Sequence, residues 1–200
     1  MVSGASGMRL PVEVMAALAR RGDIERIHLV VSAGASQVLA HELGRERTGA
    51  ADLIEAAKLD DDAAAKIVSH RDNELDAPIA SGSYPLSGAV IVPCSAATVG
   101  TLAAGAGRTL IHRAGAVALK ERWPLVLGFR ETPLTAMHLE NLRRLTYSGA
   151  VVLPPIPAFY IGGEDFGRFL EHYALRVLDH LGLTEPGAPG LRWDPEKKRW

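Results

Sequence analysis

The sequence predicts an α/β protein with a mostly parallel sheet that is covered by helices on both faces. Short apolar, β-branched runs such as "IHLVVS" (27–32) alternate along the chain with stretches of helical periodicity. These runs are continuously apolar, as in strands buried on both faces. Because 200 residues with 48% hydrophobic content can bury one sizeable core, we expect one domain.

The elements follow in a regular order. Strands are predicted at 27–32, 88–95, 124–129 and 149–155. Helical stretches separate them, including one over roughly Leu134–Tyr147, and a closing helix is predicted over about Glu164–Leu181. The apolar residues of this last helix form one stripe, which is typical of a helix packed on a core.

The two ends of the chain differ from this pattern. Only Met1 and Val2 precede the first glycine turn, too few for a central strand, so either the chain starts late or a stretch is missing upstream. From residue 183 the sequence becomes rich in Pro, Gly and charge, which predicts an exposed tail over 183–200. The single domain is expected to cover 1–182.

Bulk properties exclude several classes of function. A formal net charge of −1 argues against a nucleic-acid binder. The single cysteine, Cys94, rules out an intramolecular disulfide and, with no signal peptide recognised, suits the reducing cytoplasm. Residues 77–107 carry no charge, but three prolines interrupt them, so we predict strand, turn and helix and no membrane span.

Loops rich in hydroxyls, glycines and charges follow the predicted strands. Because ligands of parallel sheets bind at the carboxyl ends of the strands, we expect these loops to share one ligand. "SGASG" (3–7) offers backbone N–H groups at a helix start, and in "PCSAAT" Ser95 and Thr98 are spaced to face one ligand. Ordinary helix N-caps are the alternative; for the two loops jointly we favour phosphate or cofactor binding.

The charged and nucleophilic side chains allow both a structural and a functional interpretation. Arg130 follows a buried strand directly, and a partly buried arginine needs an anionic partner, which is Glu131, another acid or a ligand phosphate. Lys120 could be a helix C-terminal cation. Cys94 has no basic neighbour and is interpreted as a small buried residue. The seven histidines show no ligand spacing, so no metal site is predicted.

An ordered set of motifs resembles the flavin prenyltransferases of the UbiX type. The motifs are "GASG", "ASGS" (80–83), "PCSAAT", "RAGAVALKERWPLVL", "RETPL", "MHLENL", "GAVVLPPIPAFY" and "RVLDHLGL", in order over about 3–182. The resemblance implies a Rossmann-like or flavodoxin-like three-layer sandwich that binds FMN and forms homo-oligomers, often dodecamers. It also implies transfer of a dimethylallyl group from dimethylallyl phosphate to N5 and C6 of reduced FMN, for a partner decarboxylase.

The resemblance also assigns roles to individual residues. The flavin-binding positions are Gly4, Ala5, Ser6, Ser32, Ser95, Ala96, Ala97, Thr98 and Arg130. The contacts to the prenyl phosphate are Lys120, Arg130, Tyr160 and Arg176. The residues expected to take part in catalysis are Ser6, Glu42 and Glu131, with the two acids handling protons or stabilising the allyl cation.

Some positions depart from the family pattern. Pro11 stands where a glycine is common, Leu75 appears at a position that is Trp in some members, and "GFRETP" replaces "VPRETP". Two alternatives therefore stay open. One is a flavin-binding accessory subunit without turnover, and the other is a flavin-dependent decarboxylase of cysteine-derived substrates, which should carry a "PASANT"-like loop.

Overall fold

The computed structural model describes residues 1–44, 48–161, 165–185, 187 and 190–193. Its strands are β1 (Ile27–Val31), β2 (Ile67–Arg71), β3 (Ala89–Cys94), β4 (Leu125–Phe129) and β5 (Val151–Val152). Its helices are α1 (Arg9–Ala19), α2 (Ala33–Leu43), α3 (Ala50–Ala56), α4 (Asp61–Ala65), α5 (Ala96–Ala104), α6 (Leu110–Glu121), α7 (Ala136–Tyr147) and α8 (Phe166–His180).

All strand pairs in the described part of the chain are parallel. β1 pairs with β2, β4 lies between β3 and β5, and Val2 joins the two groups. The Val2 N–H donates to the Val30 carbonyl at 2.8 Å, and the amino group of Met1 donates to the Val90 carbonyl at 2.9 Å. When residues 1–2 are counted as the first strand, the order is 3-2-1-4-5-6, which is the Rossmann order. The predicted parallel α/β fold is confirmed.

The core explains why the strands read as continuous apolar runs. Ile91 packs with residues of α5 and α6 on one face of the sheet. Its neighbour Val92 packs with residues of α1 and α8 on the other face. Both side chains are at most 3% exposed, because successive strand residues point to opposite faces and both faces are covered. The arrangement is the expected three-layer sandwich.

Cys94, the last residue of β3, is fully buried, as predicted. Burial raises the pKa of its thiol to about 12. Because the thiolate is the nucleophilic form, Cys94 acts as a packing residue at neutral pH.

Three expectations need correction. Residues 1–2 were expected to be too few for a central strand, yet they lie between β1 and β3 and bond to both. β2 was not predicted, and the tail is not wholly exposed, since Leu191 is 1% exposed. Residues 186, 188, 189 and 194–200 of the tail, and Glu164 at the predicted start of the last helix, lie outside the described residues. Pro11 lies in the first turn of α1, where its missing N–H would have no intrahelical partner in any case, so it leaves the helix intact.

Candidate functional site

Serine side chains cap two helices at the carboxyl edge of the sheet. Ser32 follows β1, and its hydroxyl accepts from the N–H of Ala35 at 3.0 Å, which begins α2. Ser95 follows β3, and its hydroxyl accepts from the N–H of Thr98 at 3.2 Å, which begins α5. Thr98 also places its own hydroxyl 3.0 Å from that of Ser95. Both helices therefore direct their positive N-terminal ends toward this edge.

The first loop is fixed against these two helices. The buried Ser3 hydroxyl accepts from the N–H of Ser95 at 2.9 Å and lies 3.2 Å from the Pro93 carbonyl, to which it donates. At Gly4 a Cβ would stand 3.0 Å from the backbone carbonyl carbon of Gly34. The loops after residue 2 and after β1 can approach this closely because neither glycine carries a side chain.

The three loops border a cavity of about 450 Å³. The predicted site residues that line it are Gly4, Ser32, Ser95, Ala96, Ala97, Thr98 and Glu131. The cavity lies next to the point where the strand order reverses, between residues 1–2 and β3. In sheets of this order that point is the usual ligand site. Of the remaining loop residues, Ala5 is buried and Ser6 is exposed.

Glu42, on α2, is bound to the first loop. One carboxylate oxygen accepts from the N–H of Gly7 and the other from the N–H of Met8, each at 2.8 Å. Burial by itself would raise the pKa of Glu42, but these two N–H groups, the Ser6 hydroxyl and the charge of Arg130 outweigh burial and lower it. Glu42 is therefore a carboxylate at neutral pH, and it holds the first loop in place.

Arg130, directly after β4, carries a buried polar atom without a partner. Its backbone N–H donates to the Cys94 carbonyl at 3.1 Å, which anchors the residue beside the loop after β3. Its side-chain Nε is buried and has no hydrogen-bond partner among the described residues. Glu131 does not supply one, since its carboxylate accepts from the N–H of Thr132 at 3.0 Å. Of the three partners considered for Arg130, another acid, Glu42, lies near enough for the charge of Arg130 to lower its pKa, while Nε itself stays unpaired among the described residues and suits a ligand anion.

None of the residues assigned to the prenyl phosphate, Arg130 included, is among the described residues that line this cavity. Lys120, at the end of α6, pairs with its neighbour Glu121. Arg176, on α8, pairs with Asp179 at 3.0 Å. The Tyr160 hydroxyl lies 3.3 Å from Nε2 of His172. Within one protomer the residues expected to bind the prenyl phosphate thus have different partners and do not form one cluster.

Comparison with known proteins identifies the family. Residues 1–171 match the Flavoprotein family. Over 193 residues the chain is 42% identical to the flavin prenyltransferase UbiX of Deinococcus radiodurans, covering 96% of this chain and 92% of the relative. It is 39% identical to the flavin prenyltransferase LpdB of Lactiplantibacillus plantarum, covering 89% and 88% of the two chains. The chain belongs to the UbiX-type flavin prenyltransferase family.

Solved structures support the same assignment of this UbiX-type protein. A dodecameric FMN-dependent UbiX-like decarboxylase from Escherichia coli O157:H7 has a TM-score of 0.81 and 36% identity, over 96% of this chain and 97% of that one. AnUbiX (PadA1), in complex with FMN and dimethylallyl pyrophosphate, has a TM-score of 0.79 and 34% identity, over 96% and 94%. The resemblance stated from the motifs is confirmed.

Several cavity-lining residues of this UbiX-type protein were not anticipated from the sequence. They are Gly34, Asp72, Thr101, Thr109, Ile111 and His112. Asp72 follows β2, and its carboxylate accepts from the N–H of Ile111 at 3.0 Å, which fixes the start of α6 beside the cavity. The β-branched pair Ile67–Val68 before a polar turn was the available signal for that strand.

None of the helices in the described ranges of this UbiX-type protein is both long enough and apolar enough to cross a bilayer. The uncharged stretch 77–107 instead contains the short 3-10 turn Pro78–Ala80, β3 and the whole of α5. The prediction of strand, turn and helix for this stretch is confirmed.

We predict that Glu42 makes the stability of this UbiX-type protein depend on pH in the acid range. A lowered pKa means that its stabilising contribution is complete above the ordinary value of 4.5 and is lost as the pH falls through the lowered value. Glu42→Gln cannot accept from both N–H groups, because its amide has one acceptor oxygen. The variant should therefore melt below the wild type at neutral pH, and the gap should close below pH 4.5.

Thermal unfolding of both proteins across the acid range measures this gap. Glu25→Gln is the matched control, because Glu25 is exposed and precedes β1 at the opposite edge of the sheet. A gap between wild type and Glu42→Gln that stays constant down to the lowest pH would show that the charge of Glu42 has no part in holding the loop.

Proposed function

We propose that this protein is a flavin prenyltransferase that joins the dimethylallyl group of dimethylallyl phosphate to N5 and C6 of reduced FMN. The observation that carries the proposal is the Nε of Arg130, which is buried and has no hydrogen-bond partner among the described residues, on a residue anchored to the end of β3. An arginine in this setting suits an oxygen-rich anion such as a phosphate. Membership of the family supplies the reaction.

The loops at the carboxyl edge fit a flavin mononucleotide. Gly4, Ala5 and Ser6 would hold it from the first loop, Ser32 from the second, and Ser95–Thr98 with Arg130 from the third and fourth. The N-termini of α2 and α5 favour the negative charge of a phosphoryl group. The close contact between Gly4 and Gly34, where a Cβ on Gly4 would stand 3.0 Å from the Gly34 backbone, keeps side chains away from this edge of the cavity. Reduced FMN supplies the two nucleophilic positions, N5 and C6, that the dimethylallyl group joins.

The charged residues of this chain act on the other reactant. Breaking the allylic C–O bond leaves a delocalised cation and a phosphate that gains charge. Arg130 would stabilise that phosphate through its permanent positive charge and its fork of N–H donors. Glu131, exposed at the cavity, would stabilise the cation, pass the proton lost from N5 to the remaining double bond, and accept the proton that C6 loses when the second bond closes. Glu42 would hold the first loop and act with Glu131 as the second acid of the site.

A homo-oligomer is part of the proposal. Lys120, Tyr160 and Arg176 do not line the cavity within one protomer, so their role at the phosphate requires surfaces from more than one copy. The Escherichia coli relative is described as a dodecamer, and we propose the same assembly here. Exposed apolar side chains on α7, among them Met137 and Tyr147 at 75% and 81% exposure, would be covered in such an assembly.

The product would be prenylated FMN for a partner decarboxylase. The experiment incubates the protein with reduced FMN and dimethylallyl phosphate without oxygen and determines the mass of the extracted flavin. A gain of one C5H8 unit is the expected result. Unmodified FMN, both with the phosphate and with the pyrophosphate, would overturn the proposal and favour a flavin-binding accessory subunit.

A further inference from the structure

The C-terminal segment returns to α8 and contacts the partners of two proposed phosphate residues. Leu191 is 1% exposed and anchors the segment. Arg192 pairs with Asp179 on α8, which is also the partner of Arg176. Trp193 contacts the ring of Tyr160. A stretch expected to be an exposed tail thus touches the surroundings of both Tyr160 and Arg176.

Arg192 changes the charge available near Arg176. Its guanidinium binds both oxygens of Asp179, Nη2 to Oδ1 at 2.7 Å and Nη1 to Oδ2 at 3.1 Å. Arg176 reaches only Oδ2, through Nη1 at 3.0 Å. Among the described residues, Asp179 is thus shared between two cations, Arg176 and Arg192. Without Arg192, Asp179 would neutralise Arg176 and weaken its attraction for a phosphate.

The nearby acid Glu185 also acts on Arg192 through its charge, but its carboxylate is bound to another cation. Glu185 binds Arg21 through its carboxylate at 2.9 Å, and it contributes its backbone carbonyl to Arg192. Arg176 keeps 43% of its side-chain area exposed and directs a single nitrogen to Asp179. Its other donors can therefore reach an anion that approaches from solvent.

Trp193 restricts the position of Tyr160. The two rings meet edge to face with centroids 6.2 Å apart, and His172 meets the Tyr160 ring in the same manner at 5.9 Å. Tyr160 lies on a single 3-10 turn, Phe159–Ile161, which has little stability of its own. The two ring contacts therefore help to fix where its hydroxyl points.

We propose that Arg192 and Trp193 are positioning residues for the prenyl phosphate. Arg192 supplies a second positive charge to Asp179, so that Arg176 can attract the phosphate, and Trp193 orients the ring of Tyr160. The inference rests on the proposed function, in which Arg176 and Tyr160 bind that phosphate. Neither positioning residue needs to touch the substrate. Their effect should fall on binding of the phosphate and not on binding of the flavin.

The test compares Arg192→Gln with the charge-retaining Arg192→Lys in the full-length protein. In Arg192→Gln we expect the KM for dimethylallyl phosphate to rise about tenfold, with kcat and the Kd for FMN changed less than about twofold. Arg192→Lys should recover most of the KM. Trp193→Leu should raise the KM by a smaller factor. A purely structural role would lower the Tm of every variant without separating KM from kcat.

A second measurement keeps the two proposals distinguishable. Inorganic phosphate should raise the Tm of the wild type and give a clearly smaller shift in Arg192→Gln, whether or not the protein turns over. Equal shifts, or an unchanged KM in an active Arg192→Gln variant, would overturn the role of Arg192. A wild type that forms no prenylated flavin would instead overturn the proposed function, and the phosphate shift would still test Arg192.

Discussion

Arg130→Met is expected to reduce kcat/KM for dimethylallyl phosphate by about 10- to 100-fold, while the protein stays folded. A hydrogen bond to a charged group is worth about 1.5–3 kcal/mol, and 1.4 kcal/mol is a factor of ten. Nε of Arg130 has no hydrogen-bond partner in the described part of the chain. Methionine therefore removes the free-energy cost of burying an unpaired polar group and breaks no hydrogen bond at Nε. The Tm should therefore stay the same or rise.

Steady-state kinetics and thermal unfolding measure these two effects. Arg26→Met is the matched control, since Arg26 is exposed beside β1 at the opposite edge of the sheet and should leave kcat/KM unchanged. Arg130→Lys keeps the charge but lacks the planar fork of donors, so only part of the activity should return. A strongly lowered Tm in Arg130→Met would mean that the guanidinium is a structural group and would count against a phosphate contact.

Glu131→Gln is expected to keep FMN bound and to slow product formation by about 10²–10⁴-fold, the usual contribution of an acid–base group. The amide oxygen of glutamine can still accept from the N–H of Thr132, so the loop after β4 should keep its shape. What the substitution removes is the negative charge at the cavity and the site for a proton. Rates are followed by the mass of the extracted flavin, and FMN affinity by its fluorescence.

Two variants sharpen the result for Glu131. Glu131→Asp keeps the charge on a shorter side chain and should regain part of the rate. Glu25→Gln changes an exposed acid away from the cavity and should leave the rate unchanged. A Glu131→Gln variant that retains more than about a tenth of the wild-type rate would remove Glu131 from the chemistry, given the size expected for such a group.

The strands that the sequence predicted well are those buried on both faces. The runs ending at Cys94 and Phe129 are almost entirely apolar, because helices cover the sheet on both sides there. β2 escaped prediction because it lies at the edge of the sheet and only Ile67 and His70 are partly buried. With β2 unrecognised, the polar residue that follows it, Asp72, was also missed.

The tail is a second region where the sequence did not reveal the tertiary contacts. Composition indicates a segment without a core of its own, yet Leu191 is buried and Arg192 pairs with Asp179. Proline, glycine and charge lower the tendency to form helix or strand, but they do not prevent a segment from packing on a finished domain. The predicted boundary at residue 183 stays a prediction.

By itself the sequence determined the fold class, the order of the main elements and the edge at which the loops meet. Those properties follow from local patterns of apolar residues and from the geometry of parallel strands. Only the tertiary structure decided that Glu42 binds the first loop and that Lys120 lies away from the cavity. It alone also shows that Arg130 has a buried nitrogen without a partner among the described residues. Hydrogen bonds between residues 35 positions apart, such as Gly7 and Glu42, leave no local trace, because folding and not spacing brings them together.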